Sequence, residues 1–382
     1  MSKLKKAVLI TCFESYENRI IPAEKLLCSK GYDVTVIESD FRHLQKERRK
    51  DEREHLVFVS TRSYEKNLSF ERLYSHHCFA RDAFLLVEKY KPDLLYVVVP
   101  PNSLVREAAK YKKAHPEVVL VFDILDLWPE SLPMHGIEKT PPCRIWRNLR
   151  DRNLCVADFV FSECELFLDR MGKSVPKDRC DILYLARKAK SFSFSPQLTE
   201  KGVSLAYLGS INNIIDIPRI CSLVEKIKQY HSVTVHVIGN GENRELFLES
   251  LKNAGARVEF YGEVYDAVEK QQIFDRCHFG LNVMKDAVCV GLTMKSIDYF
   301  ELGLPLISNI PGDTAKLISQ YNAGVLYDGN PEAVAKTVIS LLGENNLPLR
   351  KNSRKLFESM FSEERYMETL SLGIDAAERR CK

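Results

Sequence analysis

The chain predicts an α/β protein made of two doubly wound parallel sheets in series. Short apolar runs rich in Val, Ile, Leu and Phe alternate with longer segments of helical spacing, the pattern of strands joined by crossover helices. That alternation lapses in RKAKSFSFSPQLTEKG, residues 187–202, and restarts at Ser204. A length of 382 residues suits two domains of common size.

In the first half, strands are predicted at Ala7–Thr11, Asp33–Ile37, Leu56–Ser60, Leu94–Val99, Val118–Phe122, Phe159–Ser162 and Asp181–Leu185. Between them, Ile20–Lys30, Phe70–Tyr90, Leu104–Ala114, Cys143–Cys155 and Glu163–Met171 carry the spacing of helices. The second half repeats the style, with strands at Ser204–Leu208, Thr234–Ile238, Val258–Tyr261, Phe279–Val283, Pro305–Ser308 and Gly324–Leu326. These runs define two Rossmann-like domains, 1–186 and 203–361, facing one cleft and joined by the linker 187–202. Residues 362–382 read as a closing helix with its start near Ser362, packing back toward the first domain.

Composition excludes more than it assigns. The net charge of +3 does not mark a nucleic-acid binder, and no basic groove is interleaved with an aromatic platform. The eleven cysteines form neither a CxxC pair nor a zinc spacing, which suits a reduced cytoplasmic protein. No apolar run approaches the roughly 20 residues that span a bilayer, so membrane contact is expected to be peripheral, on the inner face. Two basic stretches stand out. FRHLQKERRKDERE from Phe41 is diluted by acids and reads as a solvated face. CRIWRNLRDRN from Cys143 mixes Arg144, Arg147, Arg150 and Arg152 with Ile145, Trp146 and Leu149, the pattern of either an interfacial or a core-facing amphipathic helix.

Ligands of open parallel sheets sit beyond the carboxyl ends of the strands, so the loops there are the first candidates for chemistry. LAYLGSINN ends a strand in Gly209 and Ser210, whose amides suit an oxyanion or a plain tight turn. VHVIGNGENREL breaks into Gly239, Asn240, Gly241 and Glu242 before a helix. VCVGLTMKSIDYFELGLPLISN, residues 288–309, reads as a glycine turn, a helix and a strand. Gly291 admits the chain to the helix near Thr293, whose hydroxyl and neighbouring amides form an anion seat. Lys295 in the first helical turn runs against the helix dipole unless an anion joins it. The plainer reading is a solvated lysine paired with Asp298 or Glu301.

The run from LAYLGS through IGNGE, VEFYGEVY, CHFGLNV, GLTMKSIDYFELGLPLISN and AGVLYDGNPEAVAKTV resembles the donor domain of GT-B glycosyltransferases. It is most similar to the family-4-like enzymes (glycosyl transferases group 1) of bacterial surface polysaccharide synthesis. VFDILDLWPESL resembles a segment found in a subset of them. The resemblance implies a GT-B fold and transfer, with retention and without a metal or cofactor, from a nucleotide sugar, most often a UDP-sugar, to a cell-surface glycan. Donor contacts then fall on Gly209, Ser210, Gly239, Asn240, Gly241, Glu242, Glu263, Val264, Tyr265, Gly291, Leu292, Thr293, Lys295 and Asp298. Within that set Lys295 and Thr293 are expected on the phosphates, and Asp298 on the ribose.

The resemblance also places Asp126 and Lys295 as catalytic residues, and Glu14, Arg19, Trp128 and Glu130 against the acceptor. Asp126 would orient an acceptor hydroxyl or stabilise charge at the anomeric carbon; alternatively it caps the next segment while Trp128 joins the core. Two departures from the family bear on the site. Val290 and Asp298 stand where two glutamates are common, with Asp286 as a substitute for the first, and Leu125 stands where a histidine is common. A lipid-linked acceptor would give the Cys143 helix a purpose, and a homo-oligomer is left open. A nucleotide-sugar epimerase and a non-catalytic subunit supporting a partner transferase remain alternatives.

Overall fold

The computed structural model describes residues 4–49, 53–67, 69–132, 140–188, 195–198 and 202–381. Part of the expected linker therefore lies outside the described residues. The chain divides into two compact units: Met1–Leu185 together with Tyr366–Lys382, and Ala186–Arg365.

The first unit holds strands β1 (Lys5–Thr11), β2 (Tyr32–Ser39), β5 (Leu56–Val59), β6 (Leu94–Val99), β7 (Val119–Ile124), β8 (Phe159–Ser162) and β9 (Cys180–Ile182). They form one parallel sheet in the order β5-β2-β1-β6-β7-β8-β9. The central strands read LLYVVV and VLVFDI, and every residue of both is buried, as a strand covered on both faces requires. Helices α1 (Glu17–Ser29), α2 (Phe70–Tyr90), α3 (Asn102–Ala114), α4 (Pro141–Asp151) and α5 (Glu165–Met171) connect them. In α2 the Ser69 hydroxyl accepts from the Arg72 amide at 3.2 Å, and the helix stops at Lys91 with φ 50°.

Three local departures from expectation have simple causes. The charged run from Phe41 forms a short antiparallel hairpin, β3 (Phe41–Arg42) with β4 (Glu47–Arg48), too brief to show a strand period. Arg42 pairs with Glu47 inside the run, whereas Arg48 pairs with Asp40 and Arg49 with Glu38 and Glu17, acids that lie before it. The helix expected over Cys143–Cys155 ends at Asp151 and resumes as a single turn, Leu154–Val156. The strand expected over Asp181–Leu185 pairs only as far as Ile182.

In the second unit β10 (Gly202–Leu208), β11 (Ser232–Ile238), β12 (Arg257–Gly262), β13 (Phe279–Asn282), β14 (Leu306–Ser308) and β15 (Gly324–Leu326) make a parallel sheet in the order β12-β11-β10-β13-β14-β15. Helices α6 (Ile217–Lys228), α7 (Arg244–Asn253), α8 (Ala267–Phe274), α9 (Met294–Glu301), α10 (Asp313–Tyr321), α11 (Pro331–Ser340) and α12 (Asn346–Met360) surround it. The strand order reverses between β10 and β13, and in such sheets the crevice at the reversal is the natural ligand site.

The last helix, α13 (Glu363–Cys381), packs in the first unit. The Ser362 hydroxyl accepts from the Arg365 amide at 3.3 Å, so the cap is a simple one: the third helical residue is an arginine and returns no hydrogen bond of the capping-box kind. Lys30 pairs with Asp375, Tyr32 with Glu378, and Arg380 with Asp178 at 2.7 Å. Gly373 lies against aromatic side chains: a Cβ there would stand 2.2 Å from Phe161 Cζ.

Candidate functional site

The reversal point of the second sheet is built by α9. Tyr299, fully buried, accepts from the Leu208 amide at 2.7 Å and lies against the Ala206 and Leu281 carbonyls, on the strands either side of the reversal. Gly280 is what admits the ring, since a Cβ there would stand 2.7 Å from it. Lys295 precedes Tyr299 by four residues and so projects from the same helix face, one turn closer to the strand ends. Its ammonium reaches the Tyr207 hydroxyl at 3.3 Å and lies 4.6 Å from that ring's centroid. It also lies beside Gly209, whose φ of 109° leaves the turn bare on that side: a Cβ there would stand 3.6 Å from Lys295 Cε.

No carboxylate pairs with Lys295 among the described residues. Asp298, the expected partner in the plainer reading, instead meets Arg187 at 3.3 Å. Burial, which disfavours the charged form, draws the Lys295 pKa down to about 8. The lysine stays mostly protonated at neutral pH, beside a glycine turn and the leading amides of α9, which have no intrahelical acceptor. Two separate segments, the end of β10 and the start of α9, thus gather groups of the kind that could meet an anion.

The other donor candidates divide. Gly239 and Gly241 are demanded by backbone packing between neighbouring loops. A Cβ on Gly239 would stand 2.0 Å from the Gly209 carbonyl oxygen, and one on Gly241 2.4 Å from that of Ile211. The same loops are sewn by Gly209 N to Ile238 O at 2.9 Å and Ile211 N to Asn240 O at 2.8 Å. Ser210 is exposed at this turn, and its carbonyl accepts from the Tyr207 hydroxyl at 2.7 Å. Asn240 turns its side-chain oxygen onto the Gly241 amide at 2.9 Å, and Glu242 accepts from Asn213 at 2.7 Å. Beyond β12, Tyr265 is exposed and donates to Glu263 at 3.2 Å, with Val264 between them.

The Thr293 hydroxyl does not fit the phosphate role expected of it. As the N-cap of α9 it accepts from Ser296 N at 3.1 Å and from Asn282 Nδ2 at 2.7 Å, and lies 3.0 Å from Ser296 Oγ. Its hydrogen-bonding capacity is spent on holding the helix start to the end of β13. Leu292 is buried, and Gly291 offers its carbonyl to the amide and hydroxyl of Thr314. Asp286, the candidate in place of Val290, is exposed and pairs through both oxygens with Arg219, at 2.8 and 2.9 Å, which keeps it below the usual carboxylate range. Arg187, in the stretch read as a linker, is the polar contact that sequence reasoning missed.

In the first unit several expected acceptor contacts are structural. Arg19 is fully enclosed, 3.8 Å from Asp123 and over the Tyr366 ring of α13, so it contacts no acceptor. Glu130 is committed to Arg147 at 2.6 Å and to Arg150 at 3.0 Å, the latter fully buried. That pairing turns the basic helix α4 inward at Arg150 while Ile145 stays exposed. Asp126 accepts from the Leu127 amide at 2.9 Å, from Trp128 Nε1 at 2.7 Å and from Ser131 Oγ. Its carboxylate thus braces the turn after β7, yet it lines a cavity of about 390 Å³ with Trp128, Tyr16, His43 and Arg72. Glu14 does not line that cavity, although its neighbours Phe13, Ser15 and Tyr16 do. Nothing local marked Arg72 in the sequence, because two of the rings around it, Phe13 and Trp128, come from distant segments.

Two doubly wound parallel sheets in series, each an open α/β unit, place the chain in the GT-B fold class. Residues 202–344 match the family model "Glycosyl transferases group 1". No curated protein sequence matches the chain. Among solved structures, it is similar to sucrose-phosphate synthase from Thermosynechococcus elongatus, with 14% identity, TM-score 0.70, and 97% of this chain and 98% of that chain covered. Anabaena HepE in complex with UDP is similar at 12% identity and TM-score 0.68, over 97% of this chain and 100% of that one. The lipopolysaccharide outer core galactosyltransferase WaaB is similar at 14% identity and TM-score 0.67, over 97% and 99%. Among the described residues no helix is long and apolar enough to cross a membrane, and no group of three or more His, Cys, Asp or Glu is gathered as for a metal.

Proposed function

We propose that this protein is a retaining glycosyltransferase that moves a sugar from a UDP-sugar to a glycan acceptor in cell-surface polysaccharide synthesis. The observation that carries the proposal is the unpaired, partly buried Lys295 at the Gly209 turn and the start of α9. When the bond between the anomeric carbon and the donor's phosphate oxygen breaks, negative charge grows on the departing diphosphate. A cation and amides already aimed at that place stabilise the transition state more than the ground state. Lys295 supplies the positive charge that a metal ion would otherwise bring. The matched family model over the second unit and the UDP-bound HepE neighbour support a UDP donor. Asp298, steadied by Arg187, is offered to the ribose, and the Glu263–Tyr265 loop to the base.

The test is incubation with a panel of UDP-sugars, following sugar release by NMR in the absence of acceptor. Slow hydrolysis of one donor, with the anomer first released matching the donor's configuration, is the expected result. A second reading rests on Val290, which stands at the first acidic position of the family, and on Asp286 being paired with Arg219. It makes the chain a binding subunit, and binding without any release, even with acceptors supplied, would favour it.

A further inference from the structure

Two cavities of the first unit share Arg72, Asn67 and Trp128 as a common wall. The first, of about 360 Å³, runs from that wall past Trp146, Cys143, Leu73 and Phe70. No carboxylate lines it, and Arg72 is its single charged residue among the described ones. The second holds the polar groups Ser15, Tyr16, His43 and Asp126.

Arg72 is 7% exposed, and no salt bridge meets its charge among the described residues, although the Asp126 carboxylate lies near enough to act on it. Its guanidinium lies 4.4 Å from the Trp128 ring centroid and 5.8 Å from those of Phe13 and Tyr64. One nitrogen donates to the Asn67 carbonyl at 2.6 Å, whereas Nε is buried with no hydrogen-bond partner among the described residues. No carboxylate among the described residues pairs with it, and the nearby Asp126 is committed to Leu127, Trp128 and Ser131. His76 stacks on Trp128 with neither ring nitrogen hydrogen-bonded, and burial beside Arg72 holds it neutral. Aromatic faces soften the desolvation of a guanidinium but do not neutralise it. Phe70, 84% exposed, and Leu73 extend the apolar wall to the surface.

We propose that this junction binds the anionic group of an amphiphilic acceptor, with an apolar body along Trp146 and Leu73 and a polar head toward Asp126. The proposal rests on the transferase reading above and adds the acceptor's chemical class. A phosphate is the fitting anion, because a guanidinium fork meets its oxygens in a matched geometry.

Both tryptophans of the chain line the apolar cavity, so intrinsic fluorescence reports on it directly. The full chain would be titrated with hexyl phosphate, hexanol and inorganic phosphate, all below micelle-forming concentrations. Hexyl phosphate is expected to saturate the signal about tenfold or more tightly than either of the others, the scale of a charge-assisted contact in a shielded site. Arg72→Met should bring hexyl phosphate down to the level of hexanol. Equal binding of hexyl phosphate and hexanol by the wild type, equal binding of hexyl phosphate and inorganic phosphate, or no saturable signal would each overturn the proposal. Should Arg72→Met fail to fold, the wild-type ranking decides. Calorimetry with UDP on the same preparation keeps the two readings apart: UDP binding without the expected ranking rejects the acceptor class alone.

Discussion

Lys295 is a partly buried base that no carboxylate pairs with among the described residues, and that makes it a titratable handle on function. With a pKa drawn down to about 8 it is charged at pH 7 and increasingly neutral above pH 8. A bound diphosphate favours the charged form and raises that pKa. The sign follows: UDP affinity should hold between pH 7 and 8 and then fall by up to about tenfold per pH unit, with proton uptake on binding above pH 8. Calorimetry in buffers of different ionisation enthalpy measures both, and a flat profile would separate Lys295 from the phosphates. The neighbouring residues show what sequence alone conveys. Lys295 and Gly209 were legible because a helix start and a strand end are local patterns. The engagement of Thr293 with Asn282 was not, since it depends on how the end of β13 meets α9.

At the scale of an element, α4 shows how one buried charge can decide which way a helix faces. Its basic, apolar pattern fitted either a membrane surface or the protein interior. Arg150 settles this at one position: it is fully buried, donates to the Trp128 carbonyl at 2.7 Å and pairs with Glu130. Glu130→Ala removes one of two carboxylates from the buried Arg150, whose Nε still meets Asp151 at 2.8 Å, so it should destabilise the protein by about 1–3 kcal/mol, read as a loss of thermal stability. A loss within the range of surface substitutions would mean that water reaches Arg150. Other elements were readable in different degrees. The α2 boundaries follow from the helical pattern that runs from Phe70 to Tyr90. The β3–β4 hairpin, two residues to a strand, offers no period to detect.

For the molecule as a whole, the two parallel sheets were readable because buried strands are continuous apolar runs, and the last helix was expected to return to the first domain, but the contacts that hold it there lie far apart in sequence. The α13 helix completes the first unit with Leu370, Ile374 and Ala377 buried, and its Gly373 lies against Phe161 and Phe159. Gly373→Val should therefore overpack that contact and cost about 1–3 kcal/mol, seen as a lowered melting temperature. A neutral outcome would show that the helix can move away without loss. The proposed activity rests on the seat at the reversal point of the second sheet, and calorimetric titration of UDP at pH 7 into the wild type and Lys295→Ala tests it most directly. Saturable binding by the wild type, weakened about tenfold or more in a variant that remains folded, is the predicted result. Equal affinity in the two proteins would contradict it.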